Sequence, residues 1–394
     1  MTSLRDLMPA LANKTYFNYG GQGPLPTPSL EAMTATWELI QRLGPFTGEV
    51  WPELDRLSGR LRRRLAHWFG VGPHRVAFSE NVSAGCVLPL WGLPWRAGDE
   101  LLISDAEHPG VVAACRELAR RQHLGIADLP VQQDLGDQAS SDSAVLERME
   151  RHLSPRTRLV VLSHLLWNTG QLMPIRAVAE RLKAHPNQPW LLVDAAQSLG
   201  SIPLEGPDSA AAAADIYGCT GHKWCCGPEG LGAVVLSERL LQDSRPTLIG
   251  WRSLSDELSA DSRFHGDARR FEVATSCTPL AAGLDRSLQL LEGEGDGASR
   301  LLGIRERSQQ LWQGLQQLGG AQPLLTAPPP AGLVSFRLGT HAPAAVVEAL
   351  GKRGIWLRTL AEPDCVRACT HLTTTAEEVE QLLANLADLI RSAG

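Results

Sequence analysis

The stretch Asp215-Ile-Tyr-Gly-Cys-Thr-Gly-His-Lys223-Trp-Cys-Cys-Gly-Pro-Glu-Gly230 sets the reading of this chain. It places one lysine directly after a histidine, with Gly221 and Gly227 on either side. A lysine kept for solubility needs no glycines to bring backbone close to it. A lysine held among small and aromatic neighbours can lose its proton and attack a carbonyl, as Schiff-base chemistry requires. The same letters also describe a glycine-rich turn with an ordinary lysine, and the segment alone does not separate the two. Downstream, Gly230-Leu-Gly-Ala-Val-Val-Leu-Ser237 reads as a strand returning to a sheet.

Upstream the pattern repeats. Arg75–Ser79, Leu101–Ser104, Arg158–Ser163 and Pro189–Val193 are short apolar runs with strand character, and helical stretches separate them. Strands alternating with helices predict an α/β fold with a mostly parallel, doubly wound sheet. In such sheets ligands collect beyond the carboxyl ends of the strands. Those ends carry Asn81, Ser83, His108, Asn168, Asp194 and Gln197.

The rest of the chain frames this unit. An N-terminal helix is expected first, then a glycine- and proline-rich loop, Tyr16–Pro26, with Asn18 as its main hydrogen-bonding side chain. Helices over Thr27–Leu43 and Pro52–Phe69 follow. A loop-rich region, Arg245–Pro279, precedes helices ending near Leu291 and Leu318, a strand at Leu333–Leu338, a helix at Pro343–Arg353 and a last helix from Thr375. The division expected is a large α/β domain over 15–262, and a smaller α+β domain from 1–14 and 263–394.

With 394 residues the chain has ample core for two domains. A net charge of −6 and a pI near 6.0 give no basic face for nucleic acid. No apolar run has membrane-spanning length and the start does not resemble a signal peptide, so the expected location is the cytoplasm. Eight scattered cysteines predict reduced thiols. A metal site at Cys219, Cys225 and Cys226 is a weak reading, because adjacent cysteines seldom ligate one ion together, and no metal is expected.

Taken together, the strand-end residues suit one chemistry. If Lys223 carries an aldehyde cofactor, its ring nitrogen needs an acid, and Asp194 ends the strand upstream of it. A phosphate needs backbone N–H donors and a hydroxyl at a helix start, which Asn81-Val82-Ser83 supplies. His108 can stack on the ring, and Asn168 or Gln197 can meet its hydroxyl. Each residue alone has a plainer explanation: a cap, a turn, a loop histidine. Jointly they point to pyridoxal phosphate.

Five segments carry a resemblance: Ser104-Asp-Ala-Glu-His-Pro109, Ser163-His-Leu-Leu-Trp-Asn-Thr-Gly170, Leu192-Val-Asp-Ala-Ala-Gln-Ser198, Thr220-Gly-His-Lys-Trp224 and Arg270-Phe-Glu-Val-Ala-Thr275. With them the chain resembles the class V aminotransferase, or cysteine desulfurase-like, family. Asn13–Asn18, Gly250–Ser253, Leu357–Thr359 and Pro363–Cys365 add a likeness to its cystine C–S lyase branch. The resemblance implies the PLP-dependent transferase fold type I, with a seven-stranded-type sheet, and a homodimer with active sites at the interface. Lys223 would be the Schiff-base lysine, Asp194 the partner of the pyridine nitrogen and His108 the stacking ring. Asn81, Val82, Ser83, Thr220 and His222 would hold the phosphate, with Thr275 reaching in from the other subunit. Gln197 and Asn168 would serve the ring oxygen. Arg367, assisted by Arg358, would grip the substrate carboxylate, with Asn18, Gly20 and Trp251 on the substrate side.

Desulfurases of this family carry a cysteine on a mobile loop. Here Cys365 stands two residues before Arg367, too short a tether to sweep a site, and is read as structural. Cys225 and Cys226 leave a thiol role open, Ser83 replaces the commoner threonine, and Ala274 stands where many relatives have glycine. The implied reaction is α,β-elimination from L-cystine, and less well L-cysteine, giving pyruvate, ammonia and cysteine persulfide. That persulfide could supply a sulfur acceptor or iron–sulfur cluster assembly. A desulfurase yielding alanine, an epimerase or aminotransferase, and a non-catalytic sulfur-relay protein remain as alternatives.

Overall fold

The computed structural model describes residues 3–132, 138–256, 263–339 and 341–392. The chain enters through strand β1 (Thr15–Tyr16) and helices α1 (Thr27–Leu43) and α2 (Val50–Phe69). The alternating unit then runs β2 (Val76–Ser79), α3 (Val82–Trp91), β3 (Glu100–Ser104), α4 (Pro109–Gln122), β4 (Gly125–Leu129) and α5 (Gln138–His152). It continues through β5 (Thr157–Ser163), α6 (Ile175–Ala184), β6 (Trp190–Asp194), α7 (Ala210–Ala213), β7 (Ile216–Thr220), β8 (Gly232–Leu236) and α8 (Glu238–Asp243). The last part holds α9 (Thr278–Gly293), α10 (Gly297–Gln317), β9 (Ala321–Pro323), β10 (Leu333–Leu338) and α11 (Pro343–Gly351). It ends with β11 (Ile355–Trp356), β12 (Arg358–Ala361), β13 (Asp364–Cys369) and α12 (Ala376–Ser392).

Seven strands form one sheet in the order β2-β8-β7-β6-β5-β3-β4, in which β8 runs antiparallel to both its neighbours and the other pairings are parallel. Every residue of β3, β6 and β7 is buried, the mark of strands covered on both faces by crossover helices. Leu162, Leu192 and Val193 are wholly inaccessible, each stabilising the core by roughly 2 kcal/mol on the area scale. A second, antiparallel sheet, β12-β13-β10-β9, and the parallel pair β1-β11 make the smaller unit. Among the described residues no helix is long and apolar enough to cross a membrane.

Three expectations change. The N-terminal helix is two separate 3-10 turns, Arg5–Leu7 and Pro9–Leu11, because the proline holds Met8 extended between them. β1 lies in the span expected for the large domain, yet it pairs with β11 of the smaller unit. Conversely α9, expected in the small domain, packs on α1 and α2, where Ser287 Oγ lies 2.8 Å from Ser29 Oγ. The chain therefore crosses between units more often than a cut near 262 allows, and residue 262 itself lies outside the described residues.

Candidate active site

Register puts the carboxyl ends of the central strands side by side. Ser163 of β5 stands opposite Asp194 of β6, and Asp194 stands opposite Gly218 of β7. Two residues later β7 ends at Thr220, and the chain turns through Gly221 to Lys223. A side chain at Gly218 would put its Cβ 2.4 Å from Cys86 Sγ and 3.3 Å from the Val82 carbonyl. Glycine there lets α3 lie directly on β7 and brings the start of that helix over the strand ends. Asn81 caps the helix by accepting the Ala84 N–H at 2.9 Å, and the N–H groups of Val82 and Ser83 have no intrahelical acceptor. This is an anion-binding arrangement.

The Lys223 carbonyl accepts the Cys226 N–H at 3.0 Å, while its Nζ makes no hydrogen bond among the described residues. Burial drives its pKa down to about 8; Asp194 opposes the shift, while Arg367 and Arg358 reinforce it. Lys223 thus gives up its proton far more readily than an ordinary lysine. His222 binds Thr220 Oγ1 through Nδ1 at 2.7 Å, and burial followed by the charge of Lys223 lowers its pKa. His108 caps α4, accepts the Gly110 N–H at 3.2 Å, and sits edge-on to Trp167 with ring centres 5.4 Å apart. Burial lowers its pKa against the pull of Asp194, favouring a neutral ring. Asp194 is 5% exposed, and one of its oxygens accepts the Ala196 N–H.

The opposite wall comes from the β12–β13 hairpin. Arg358 and Arg367 are cross-strand partners there. Arg367 is 2% exposed and donates Nη1 to the Trp167 carbonyl at 2.7 Å, yet its Nε and Nη2 have no partner. Asn168 Oδ1 and Asn18 Oδ1 are likewise buried and unpaired. Leaving such groups unsatisfied costs about 1–3 kcal/mol each, more for a charge. These orphaned groups therefore mark a space for a polar ligand. A helix start for phosphate, a buried carboxylate for a ring nitrogen, a neutralisable lysine for an aldehyde and a buried guanidinium for a carboxylate fit pyridoxal phosphate together with an amino acid.

One expectation is altered in detail. Gln197 donates Nε2 to the Gly20 carbonyl at 3.0 Å and accepts Trp224 Nε1 at 2.8 Å. Its amide fixes the Asn18–Gly20 loop, leaving one N–H for the ring oxygen. Gly20 is tightly placed, since a Cβ there would meet Cys369 Sγ at 2.9 Å and Arg367 Nη2 at 3.1 Å. Asn168 donates to the Glu362 carbonyl and keeps Oδ1 free. Two expected residues stand apart within one chain. Trp251 packs edge-on against Trp51 with Arg252 over its ring, and Thr275 lies exposed before α9.

Sequence reasoning assigned no role to Glu107, although it stands next to His108. Its carboxylate is buried and accepts Ser104 Oγ, Ser163 N–H and Ser163 Oγ, while burial raises its pKa to about 7. The serines at both strand ends were the available signal. All eight cysteines are free. Cys225 and Cys226 are buried and burial pushes both thiols well up, against the thiol role left open for them. Cys365 is buried in β13 with its pKa raised to about 11 by burial.

The family model described as aminotransferase class-V matches residues 53–382. Isopenicillin N epimerase of Amycolatopsis lactamdurans is 30% identical over 97% of this chain and 96% of its own length. A probable cysteine desulfurase of Pseudomonas aeruginosa is 28% identical over 82% of this chain and 80% of its own length. Among solved structures, C-DES in complex with its reaction product cysteine persulfide is described as a cystine C–S lyase. It is 43% identical, with a TM-score of 0.90 over 97% of this chain and 99% of that one. A lysine-to-alanine variant of C-DES, with glycine covalently linked to its PLP cofactor, superposes with a TM-score of 0.91 over 98% of this chain and 99% of that one, again at 43% identity.

Proposed function

We propose, from the premise that this chain belongs to the class V aminotransferase family, that it eliminates sulfur from L-cystine with pyridoxal phosphate as cofactor. The cofactor, when bound, supplies a reactive aldehyde and a sink for the electron pair left on an amino acid's α-carbon. Lys223, with a pKa near 8, takes and returns the α-proton at Nζ. Asp194, buried at the end of β6, would hold a proton at the ring nitrogen. The start of α3 would hold the phosphate, and His108, favoured as a neutral imidazole, would cover the ring. Arg367 grips the substrate carboxylate with the N–H groups that otherwise lack partners.

Cleavage of the C–S bond releases cysteine persulfide, a better leaving group than a plain thiolate, and the remaining carbons are hydrolysed to pyruvate and ammonia. L-Cysteine, which must expel sulfide, is the poorer substrate. The observation that carries this reading is the place of Cys365. Its sulfur is buried in a strand, and the turn before it comprises only Glu362 and Pro363. Among the described residues no thiol hangs on a long loop beside the hairpin to attack substrate sulfur, so the leaving sulfur must carry itself away.

The reading extends to a homodimer with interface sites. Its support is an exposed apolar face on which Phe46 is 80% exposed and packs edge-on to Trp51, itself edge-on to Trp251. In that arrangement Trp251 and Thr275 serve the neighbouring subunit's site. Free cysteines suit a reducing compartment such as the cytoplasm, where the persulfide can reach iron–sulfur assembly. The test is incubation with L-cystine while pyruvate, alanine and persulfide are followed together. Pyruvate and persulfide in equal amounts are expected; alanine without pyruvate sinks the reading in favour of a desulfurase. Similarity to isopenicillin N epimerase favours epimerisation as a second reading. Inversion at the α-carbon with solvent exchange and no pyruvate would establish it.

A further inference from the structure

Next to the site, a cleft of about 940 Å³ opens between α4 and the turn joining β12 to β13. Trp167 and Asn168 form part of its wall, and the same two residues join it to the site: Arg367 donates to the Trp167 carbonyl and the Trp167 ring abuts His108. Each keeps a buried polar atom without a partner, Trp167 Nε1 and Asn168 Oδ1, and Asn168 is 2% exposed.

The charged residues lining the cleft divide into two sets. Asp105 accepts the N–H groups of Val131 and Gln132, Glu107 is bound by Ser104 and Ser163, and Glu117 is paired with Arg120 and Arg121. Those are committed. Arg116 on α4 and the Glu362 carboxylate on the hairpin turn have no hydrogen bond or ion pair among the described residues. One uncommitted cation and one uncommitted anion thus stand in the same cleft, unpaired with each other.

The geometry points to this cleft as the binding site for the leaving half of the substrate, its carboxylate at Arg116 and its ammonium at Glu362. The inference rests on the elimination reading above and assigns the residues that recognise the far half of cystine. The preferred substrate is a disulfide whose far side is itself a free, zwitterionic amino acid. A substrate held at both ends also keeps the scissile bond aligned while Lys223 removes the proton.

Two substrates separate the ideas. L-Cystine and S-(methylthio)-L-cysteine carry the same disulfide, but the second has a methyl group where cystine has its other amino-acid half. The holoenzyme is expected to prefer cystine in kcat/KM. Arg116→Ala and Glu362→Gln are each expected to reduce that preference about tenfold, the size of one lost charge-assisted hydrogen bond, with most of the change in KM. Equilibrium dialysis of L-cystine onto Lys223→Ala protein supplied with pyridoxal phosphate reads binding without turnover. Adding Arg116→Ala should weaken retention about tenfold. Both positions are on the surface, and circular dichroism checks the fold. A preference unchanged within twofold in both variants, with unchanged dialysis, overturns the assignment while leaving the elimination intact. Absence of pyruvate from either substrate in the holoenzyme overturns the elimination instead, and the dialysis still judges the cleft.

Discussion

The wall of the site that hangs from the seven-stranded sheet and the wall that hangs from the β12–β13 hairpin differ in charge, in construction and in how far apart they lie along the chain. The sheet wall is assembled from strand ends in register and brings one carboxylate, Asp194, toward Lys223. The hairpin wall brings two guanidiniums, Arg358 and Arg367, from well over a hundred residues downstream. Lys223 sits between them, and its pKa records the contest: burial lowers it most, the sheet wall opposes and the hairpin wall assists. On the function proposed above, cofactor chemistry belongs to one wall and substrate choice to the other, with the lysine answering to both.

The largest effect is expected at the lysine. Lys223→Ala removes the group both walls act on, and pyruvate formation from cystine should fall by about 10⁴-fold, the upper range for a positioned base. Retention of more than a hundredth of the activity would show that another residue takes the proton. Arg367→Ala tests the hairpin wall alone. It should lower kcat/KM about a hundredfold, chiefly through KM, because two charge-assisted contacts to the carboxylate disappear. Arg367→Lys should recover little, since a point charge does not reproduce the planar fork. If both variants instead lose the cofactor's absorption band, Arg367 belongs to the sheet wall's task.

Titration of Lys223 in cofactor-free protein sharpens the contrast further. The amine is charged below and neutral above its pKa of about 8, so labelling by an amine reagent should rise with pH through that value, well below the ordinary lysine range. Asp194→Asn removes the opposing charge and should move the midpoint down. Arg358→Ala removes an assisting charge and should move it up. A half-unit move changes the neutral fraction at pH 7 about threefold. Movement of both variants in the same direction would contradict the opposed roles of the two walls.

The sheet wall was largely legible in the sequence. Leu159–Leu162 and Trp190–Val193 are unbroken apolar runs, and the residues just past the end of such a run in a parallel sheet lie at its ligand-binding edge. Lys223 and Asp194 could be placed together on that basis. The hairpin wall was not legible from pattern, because nothing local says that Arg367 is buried with two N–H groups free; only the family resemblance pointed there. Glu107 was only hinted at, by the serines ending two strands, because their convergence on its carboxylate is made by the fold. Gln197 lies in the turn just past β6, and its amide serves the Gly20 loop, which joins the site only after β1 crosses to β11.

The smallest effect expected is the one that best separates this hairpin from a sulfur-carrying loop. Cys365 pairs across the hairpin with Leu360, its side chain is inaccessible, and its thiol is held to a pKa of about 11 by burial. At pH 7 about one molecule in 10⁴ carries the thiolate, and that thiolate has no loop on which to reach the substrate. Cys365→Ser keeps the volume and retains Ser335 as a hydrogen-bond partner, so pyruvate formation and sulfur release should both stay within twofold of the parent protein. The hairpin wall would then be a rigid recognition surface whose arginines act and whose thiol does not. If sulfur release collapses in Cys365→Ser while cofactor binding and the fold persist, the hairpin must open, and the division between a chemical wall and a recognition wall fails at that residue.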